Sequence, residues 1–92
     1  MEIVWSETAL DTFFKVVDYL FDNWSENEIE NFDNRVEALI QRIASQNQIC
    51  PESKLFGYRK CVIDEHNSLV YDIVIDKLFL VTFLDNRSSH SY

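Results

Sequence analysis

Apolar side chains recur at helical spacing through the first half of the chain and gather into strand-like runs in the second. Glu2-Ile3-Val4-Trp5 is short, β-branched and aromatic, the pattern of a strand. Ser6 then stands at a helix N-cap position, with Glu7 and Asp11 close to the positive end of the helix dipole. Leu10, Phe13, Phe14, Val17, Leu20, Phe21 and Trp24 follow at three- and four-residue steps and predict a helix over 7–24 with one apolar stripe. Asp11, Lys15, Asp18 and Asp22 occupy its other side. Ser25-Glu26-Asn27-Glu28 has the form of a capping box and opens a second helix, 26–45, whose stripe is Ile29, Phe32, Val36, Leu39, Ile40 and Ile43. So short a link predicts an antiparallel helical hairpin with both stripes on one core.

The polar stretch from Gln46 to Ser53 holds the single proline and reads as a loop. Three strands are predicted after it, 58–63, 68–75 and 78–84, separated by Asp64-Glu65-His66-Asn67 and by Asp76-Lys77. Links this short join antiparallel neighbours, so the three form a meander. The order β-α-α-β-β-β predicts an α+β fold in two layers, a helical hairpin packed on a small, mostly antiparallel four-stranded sheet that the N-terminal strand joins. Phe13, Val17, Leu39, Ile43, Leu69, Tyr71 and Ile73 are the expected core, and alternation puts Ile75 on the same side as the last three. The sheet face without helices is expected to be open for binding. The tail from Asp85 to Tyr92 is polar and is expected to run off the sheet.

Composition narrows the class. At 92 residues, 47% hydrophobic, the chain is one domain, 1–92, able to bury a core without metal or disulfide staples. Its longest apolar runs are far short of the roughly 20 residues a membrane span requires, and its first residues have no export signal, so a cytoplasmic protein is expected. In that compartment Cys50 and Cys61 are expected as free thiols. The net charge of -8 opposes any function that begins by coating a phosphate backbone. The charge is uneven: residues 1–50 hold three basic and ten acidic side chains, and residues 51–92 hold five and six.

Candidate chemistry is sparse. A single glycine leaves no phosphate-cradling loop or dinucleotide fingerprint, and the cysteines and histidines lack zinc spacing, so no cofactor and no metal are expected. Ser88 or Ser89 with His90 and Asp85 makes a triad only on paper, because neighbours on a tail cannot hold a fixed geometry. Arg59 on the first strand of the meander, and Arg87, His90 and Tyr92 after the last, are the groups able to bind phosphate or move protons. The ordinary reading of Arg59 and Lys60 is a solvated strand face, and that of His66 is a turn residue.

Taken in order, several pieces resemble the RelE/ParE superfamily of type II toxin–antitoxin toxins. Ile3-Val4-Trp5-Ser6-Glu7-Thr8-Ala9 is similar to the family's opening strand and first helix, and Asp18-Tyr19-Leu20 with Asn23-Trp24-Ser25 to its hairpin turn. Arg59-Lys60-Cys61-Val62-Ile63 with His66-Asn67-Ser68-Leu69-Val70-Tyr71 resembles the central strands, and Phe83-Leu84-Asp85-Asn86-Arg87 the closing strand. The resemblance implies a cytoplasmic toxin silenced by a cognate antitoxin. Its relatives either poison DNA gyrase or cleave mRNA on the ribosome. By position Arg59 and Arg87 match basic residues of the nucleases, with His90 or Tyr92 as the tail group, whereas Ser68 and Cys61 replace an arginine and a lysine. Three readings stay open: a ParE-like toxin aimed at gyrase, a RelE-like ribosome-dependent endoribonuclease, and a decayed toxin that retains only antitoxin binding.

Overall fold

The computed structural model describes residues 1–55, 57–88 and 92. Strand β1 (Glu2–Trp5) leads into helix α1 (Glu7–Asn23), and helix α2 (Glu26–Ser45) follows. Strands β2 (Arg59–Val62), β3 (Asn67–Val74) and β4 (Lys77–Asp85) complete a four-stranded sheet of order β1-β4-β3-β2. The meander is antiparallel throughout, and β1 adds to its open side parallel to β4, with Glu2 opposite Lys77 and Trp5 opposite Leu80. The α+β architecture of the sequence is therefore present, with its elements in the expected order.

Pleating sorts the sheet into rows. Ile3, Leu78 and Ile73 lie abreast, as do Trp5, Leu80, Tyr71 and Arg59, and then Phe83, Leu69 and Cys61. These rows pack against Phe32, Val36, Leu39, Ile40 and Ile43 of α2, all buried, and against Ala9 of α1. Phe13 ties the layers together, with its ring centroid 5.5 Å from Trp5, 5.7 Å from Phe32 and 5.6 Å from Phe83.

The register slips between Val70 and Tyr71, so that Val81 is an extra residue in β4. The slip keeps Leu80 and Phe83 both buried in the core. Since β1 ends at Trp5, α1 takes over the outer edge of β4. Ser6 accepts from the Ala9 amide as N-cap and donates to the Val81 carbonyl at 2.8 Å, and the Thr12 hydroxyl accepts from the Phe83 amide at 3.0 Å. Two backbone groups that a neighbouring strand would have used are thus satisfied by side chains of the helix and its cap.

Five expectations are corrected. The apolar stripe of α1 is wider than its seat: Phe13, Val16 and Leu20 pack on the core, while Leu10, Phe14, Phe21 and Trp24 are exposed, and Ala9 alone is fully buried. Val17, expected in the core, lines a groove on the outside of the hairpin. Ile75 is 92% exposed with φ +59°, because the strand stops at Val74 and Ile75 forms the turn to β4. Ser25 caps α2 through its carbonyl only, accepting from the Glu28 and Ile29 amides, with no side-chain bond. The helix-free face is closed at its centre, where Ser68, Val70 and Thr82 are buried.

Candidate functional site

The two cysteines form a disulfide, with Cα atoms 5.3 Å apart, which corrects the expectation of free thiols. The loop after α2 folds back along β2, bringing them together. Lys60 donates its amide to the Pro51 carbonyl, Ser53 donates to the Tyr58 carbonyl, and Glu52 bridges Arg59, so the loop behaves as a short extra strand over the sheet edge. Two core-side groups hold its upstream end: the Tyr71 phenol donates to the Asn47 carbonyl at 2.8 Å, and Arg59 Nη1 donates to the Cys50 carbonyl at 2.6 Å. Burial pushes the Tyr71 phenol above its ordinary pKa, opposed by the Cys50 backbone and the Arg59 charge. Arg59 is thereby a half-buried brace on the helix side of the sheet.

Arg87 lies past the opposite end of the sheet. Its Nε and Nη2 each reach Asp85 at 3.2 Å, and its amide donates to the same carboxylate at 2.9 Å. The Arg87 hydrogen bonds hold the Asp85 carboxyl below the usual carboxylate range, and Asp85 in turn raises the Arg87 pKa. Arg59 stands opposite Tyr71 and Asp85 opposite Asn67. The four residue steps along β3 between those levels span roughly 13 Å, and Arg87 is further still. Tyr92 stacks on Tyr58, centroids 6.2 Å apart, at the Arg59 end, and His90 lies outside the described residues. The two arginines therefore stand well apart along the sheet, each with a protein partner.

Ser68 donates to the Asn86 side-chain oxygen, Asn86 Nδ2 donates to the Asp64 carbonyl, and the Asp64 carboxylate accepts from the His66 and Asn67 amides. A serine in a buried hydrogen bond to the turn replaces the cation the nuclease pattern would put there. This turn forms one lip of a groove of about 1060 Å³ between the helical hairpin and the end of the sheet. Val16, Tyr19 and Leu20 of α1 with Trp24 just past its end form one wall, Phe32 and Arg35 of α2 another, and Ile63 to Asn67 with Phe83 to Asp85 and Arg87 the third. Arg35 approaches Asp64 at 3.9 Å across it. The lining mixes four acids, Glu28, Asp64, Glu65 and Asp85, with Lys15, Arg35, His66 and Arg87 around an apolar floor. Such a groove suits a protein segment of mixed character better than a run of phosphates. Sequence reading missed it because its residues run from Thr12 to Arg87 with no fixed spacing. Among the described residues no trio of His, Cys, Asp or Glu is grouped to hold a metal, and no helix is long and apolar enough to cross a membrane.

No curated protein sequence matches the chain. A copper-bound mutant toxin from Helicobacter pylori is similar in structure, with TM-score 0.66, 19% identity and 94% of each chain covered. The heterotetrameric YoeB-YefM toxin-antitoxin complex from Staphylococcus aureus is also similar, with TM-score 0.61, 17% identity, and coverage of 89% of this chain and 92% of that one. A conserved hypothetical protein from the same Helicobacter shares the fold at TM-score 0.51 and 16% identity, with 94% of each chain covered. These likenesses agree on the two-helix, four-stranded architecture. Residues 3–89 match the family described as the ParE toxin of type II toxin-antitoxin systems, parDE, and so this chain belongs to the ParE toxin family.

Proposed function

We propose that this ParE-family toxin acts by binding a protein target, DNA gyrase, rather than by cutting RNA, and that a cognate antitoxin silences it. The observation that carries the reading is the dispersal of the cations. Phosphodiester cleavage requires a base, an acid and a cation converging on one phosphate. Here Arg59 braces the loop at one end of the sheet and Arg87 is paired with Asp85 at the other. An RNA phosphate would have to displace a carboxylate from Arg87 and a carbonyl from Arg59. The net charge of -8 supports the same reading, since an enzyme working on the ribosome meets RNA on every side. Gyrase acts in the cytoplasm, which is where this reading puts the toxin.

The deciding experiment expresses the chain without antitoxin and compares gyrase supercoiling in vitro with mapping of mRNA cleavage on ribosomes. Inhibited supercoiling with intact mRNA is expected. A-site cleavage that is lost in Arg59→Ala or Arg87→Ala would overturn the proposal in favour of a nuclease, with Tyr92 and His90 the next residues to test. Neither effect, with antitoxin binding intact, would identify a decayed toxin. Co-purification with the product of the adjacent reading frame tests the antitoxin itself.

A further inference from the structure

The bonded cysteines at the edge of the sheet have unlike surroundings. Cys61, on β2, is 1% exposed and belongs to the core cluster, whereas Cys50, on the loop, is half-buried. Arg59 Nη1 stands at the Cys50 carbonyl, so a guanidinium charge lies beside the residue whose sulfur solvent reaches more easily. Partial exposure and a neighbouring cation favour a thiolate, and apolar burial disfavours one. Cys50 is thus placed to exchange with sulfur reagents from solvent, and Cys61 to close on it from within.

The bridge does not hold the loop by itself. The Tyr71 phenol seats Asn47 and Arg59 seats Cys50, while the Lys60 amide donates to the Pro51 carbonyl at 3.1 Å and the Ser53 amide to the Tyr58 carbonyl at 2.9 Å. Once the bridge is cut, these are hydrogen bonds that water can replace, at the margin of a sheet whose core is made by α2, β3 and β4. The loop then opens and closes while the fold persists. Each closure returns Cys50 to Cys61, because Tyr71 and Arg59 are fixed in β3 and β2. Re-formation of the bridge is intramolecular for that reason.

We infer that Cys50 and Cys61 form a reversible dithiol–disulfide site, with Cys50 the exchanging and Cys61 the resolving sulfur, whose oxidation state decides whether the outer edge of β2 is covered. Its reagents are small dithiols in one direction and small disulfides in the other. In reduction, a thiolate of the dithiol attacks Cys50 Sγ, the bridge breaks, and Cys61 leaves as a thiolate that takes up a proton. The reagent's second thiol gives up its proton and attacks its own sulfur in the mixed disulfide, and Cys50 departs as a thiolate that is protonated in turn. Two electrons and two protons have passed to the protein, and the reagent leaves as a disulfide. Oxidation is the reverse, opened by the Cys50 thiolate on the incoming disulfide. The oxidised chain has the loop laid along β2 as a short extra strand. In the reduced chain the Lys60 amide is bared and Arg59 is released from the Cys50 carbonyl, which leaves an edge strand ready to pair. None of this depends on the gyrase or the antitoxin reading.

The test treats the full chain with dithiothreitol in the absence of denaturant and then with oxidised glutathione, counting free thiols by mass after N-ethylmaleimide labelling. Two labels are expected after the first reagent and none after the second, with the helical circular dichroism signal retained throughout. Amide exchange followed by nuclear magnetic resonance should show the Lys60 and Ser53 amides losing at least about tenfold in protection on reduction, with β3 and β4 unchanged, and regaining it on reoxidation. Partial labelling of the reduced wild type, followed by peptide mapping, should find Cys50 modified at least about tenfold faster than Cys61. A bridge that opens only in denaturant, or a reduced chain that loses its helical signal, would make the bond a permanent staple and overturn the inference. Unchanged Lys60 protection in a reduced, folded chain would remove the control of the β2 edge. Labelling of Cys61 as fast as Cys50 would overturn the assignment of the two sulfurs.

Discussion

Ile75 is a β-branched residue at φ +59° with its side chain in water, held there because the β3–β4 connection leaves only two residues between Val74 and Lys77. Left-handed backbone crowds a branched Cβ, and Gly is the residue such a turn favours. Ile75→Gly should therefore stabilise the fold by about 1 kcal/mol, read as a rise in the urea midpoint at unchanged slope. Alternation alone had put Ile75 with Leu69, Tyr71 and Ile73, since nothing in the letters marks where a strand's register yields to its turn. Tyr71 was legible as core, but its hydroxyl bond to Asn47 was not, because the partner is a backbone carbonyl 24 positions away. With the Tyr71 pKa raised in the fold, its neutral form is the stabilised one. That contribution is complete below the ordinary phenol range near about pH 10 and is lost as pH climbs through the folded value. Tyr71→Phe should cost about 1 kcal/mol at neutral pH and flatten the alkaline decline in stability, measured as denaturant midpoints from pH 8 upward.

Among the elements, the helices show what periodicity can and cannot convey. The α2 stripe is buried almost as read, because one face of a helix over a sheet is one geometric decision. The α1 stripe was read as one and is two: Phe13, Val16 and Leu20 turn to the sheet, while Leu10, Phe14 and Phe21 turn to water, and a hydropathy pattern has no means of dividing a broad apolar arc between core and solvent. Likewise Ser6 and Ser25 look alike in sequence, yet only Ser6 has its side chain in the cap, where it also serves β4. The loop over β2 was the least legible element, being polar and of irregular spacing, and its order comes from Pro51, Arg59, Tyr71 and the Cys50–Cys61 bridge. The bridge closes a loop across a sequence separation of 11. On chain entropy alone it should contribute about 3 kcal/mol. Replacing both cysteines by Ala should lower the denaturant midpoint by that order and expose the 46–58 backbone to hydrogen exchange, with β3 and β4 protection retained.

At the scale of the molecule, fold class and element order were legible because strand and helix periods differ and the links are short. The candidate site was not, because α1, α2, the β2–β3 turn and the end of β4 each contribute a few residues to the groove. Arg59 and Arg87 could be named from the sequence as cations, but their separation depends on β2 and β4 running the same way on either side of β3, with Arg59 at the start of one and Arg87 past the end of the other. The molecule has a polarised surface as a result: an acidic and partly apolar hairpin layer, and a sheet layer whose charges nearly balance.

The pairing of β1 with β4 carries a consequence for how the protein comes to exist. The strand next to the centre of the sheet is the last of the four in the chain, and it alone joins β1 to the rest, with Glu2 matched to Lys77. Before β4 is present, β1 has no partner, the bulge at Val81 that seats α1 does not exist, and Phe13 lacks Phe83. Contacts between chain ends are slow to form, since the loop between them must close before they reward it. The helical hairpin is local and should appear first, followed by β2–β3, with closure by β4 limiting the rate. In a Trp24→Phe variant, Trp5 would report that last step alone, because its ring lies against Phe13 and Phe83. Refolding followed by Trp5 fluorescence should lag the far-ultraviolet helical signal, and coincident traces would refute the order. A ribosome making this toxin would carry helices without a sheet for most of the chain's synthesis, so the half-made protein has no complete surface with which to do harm.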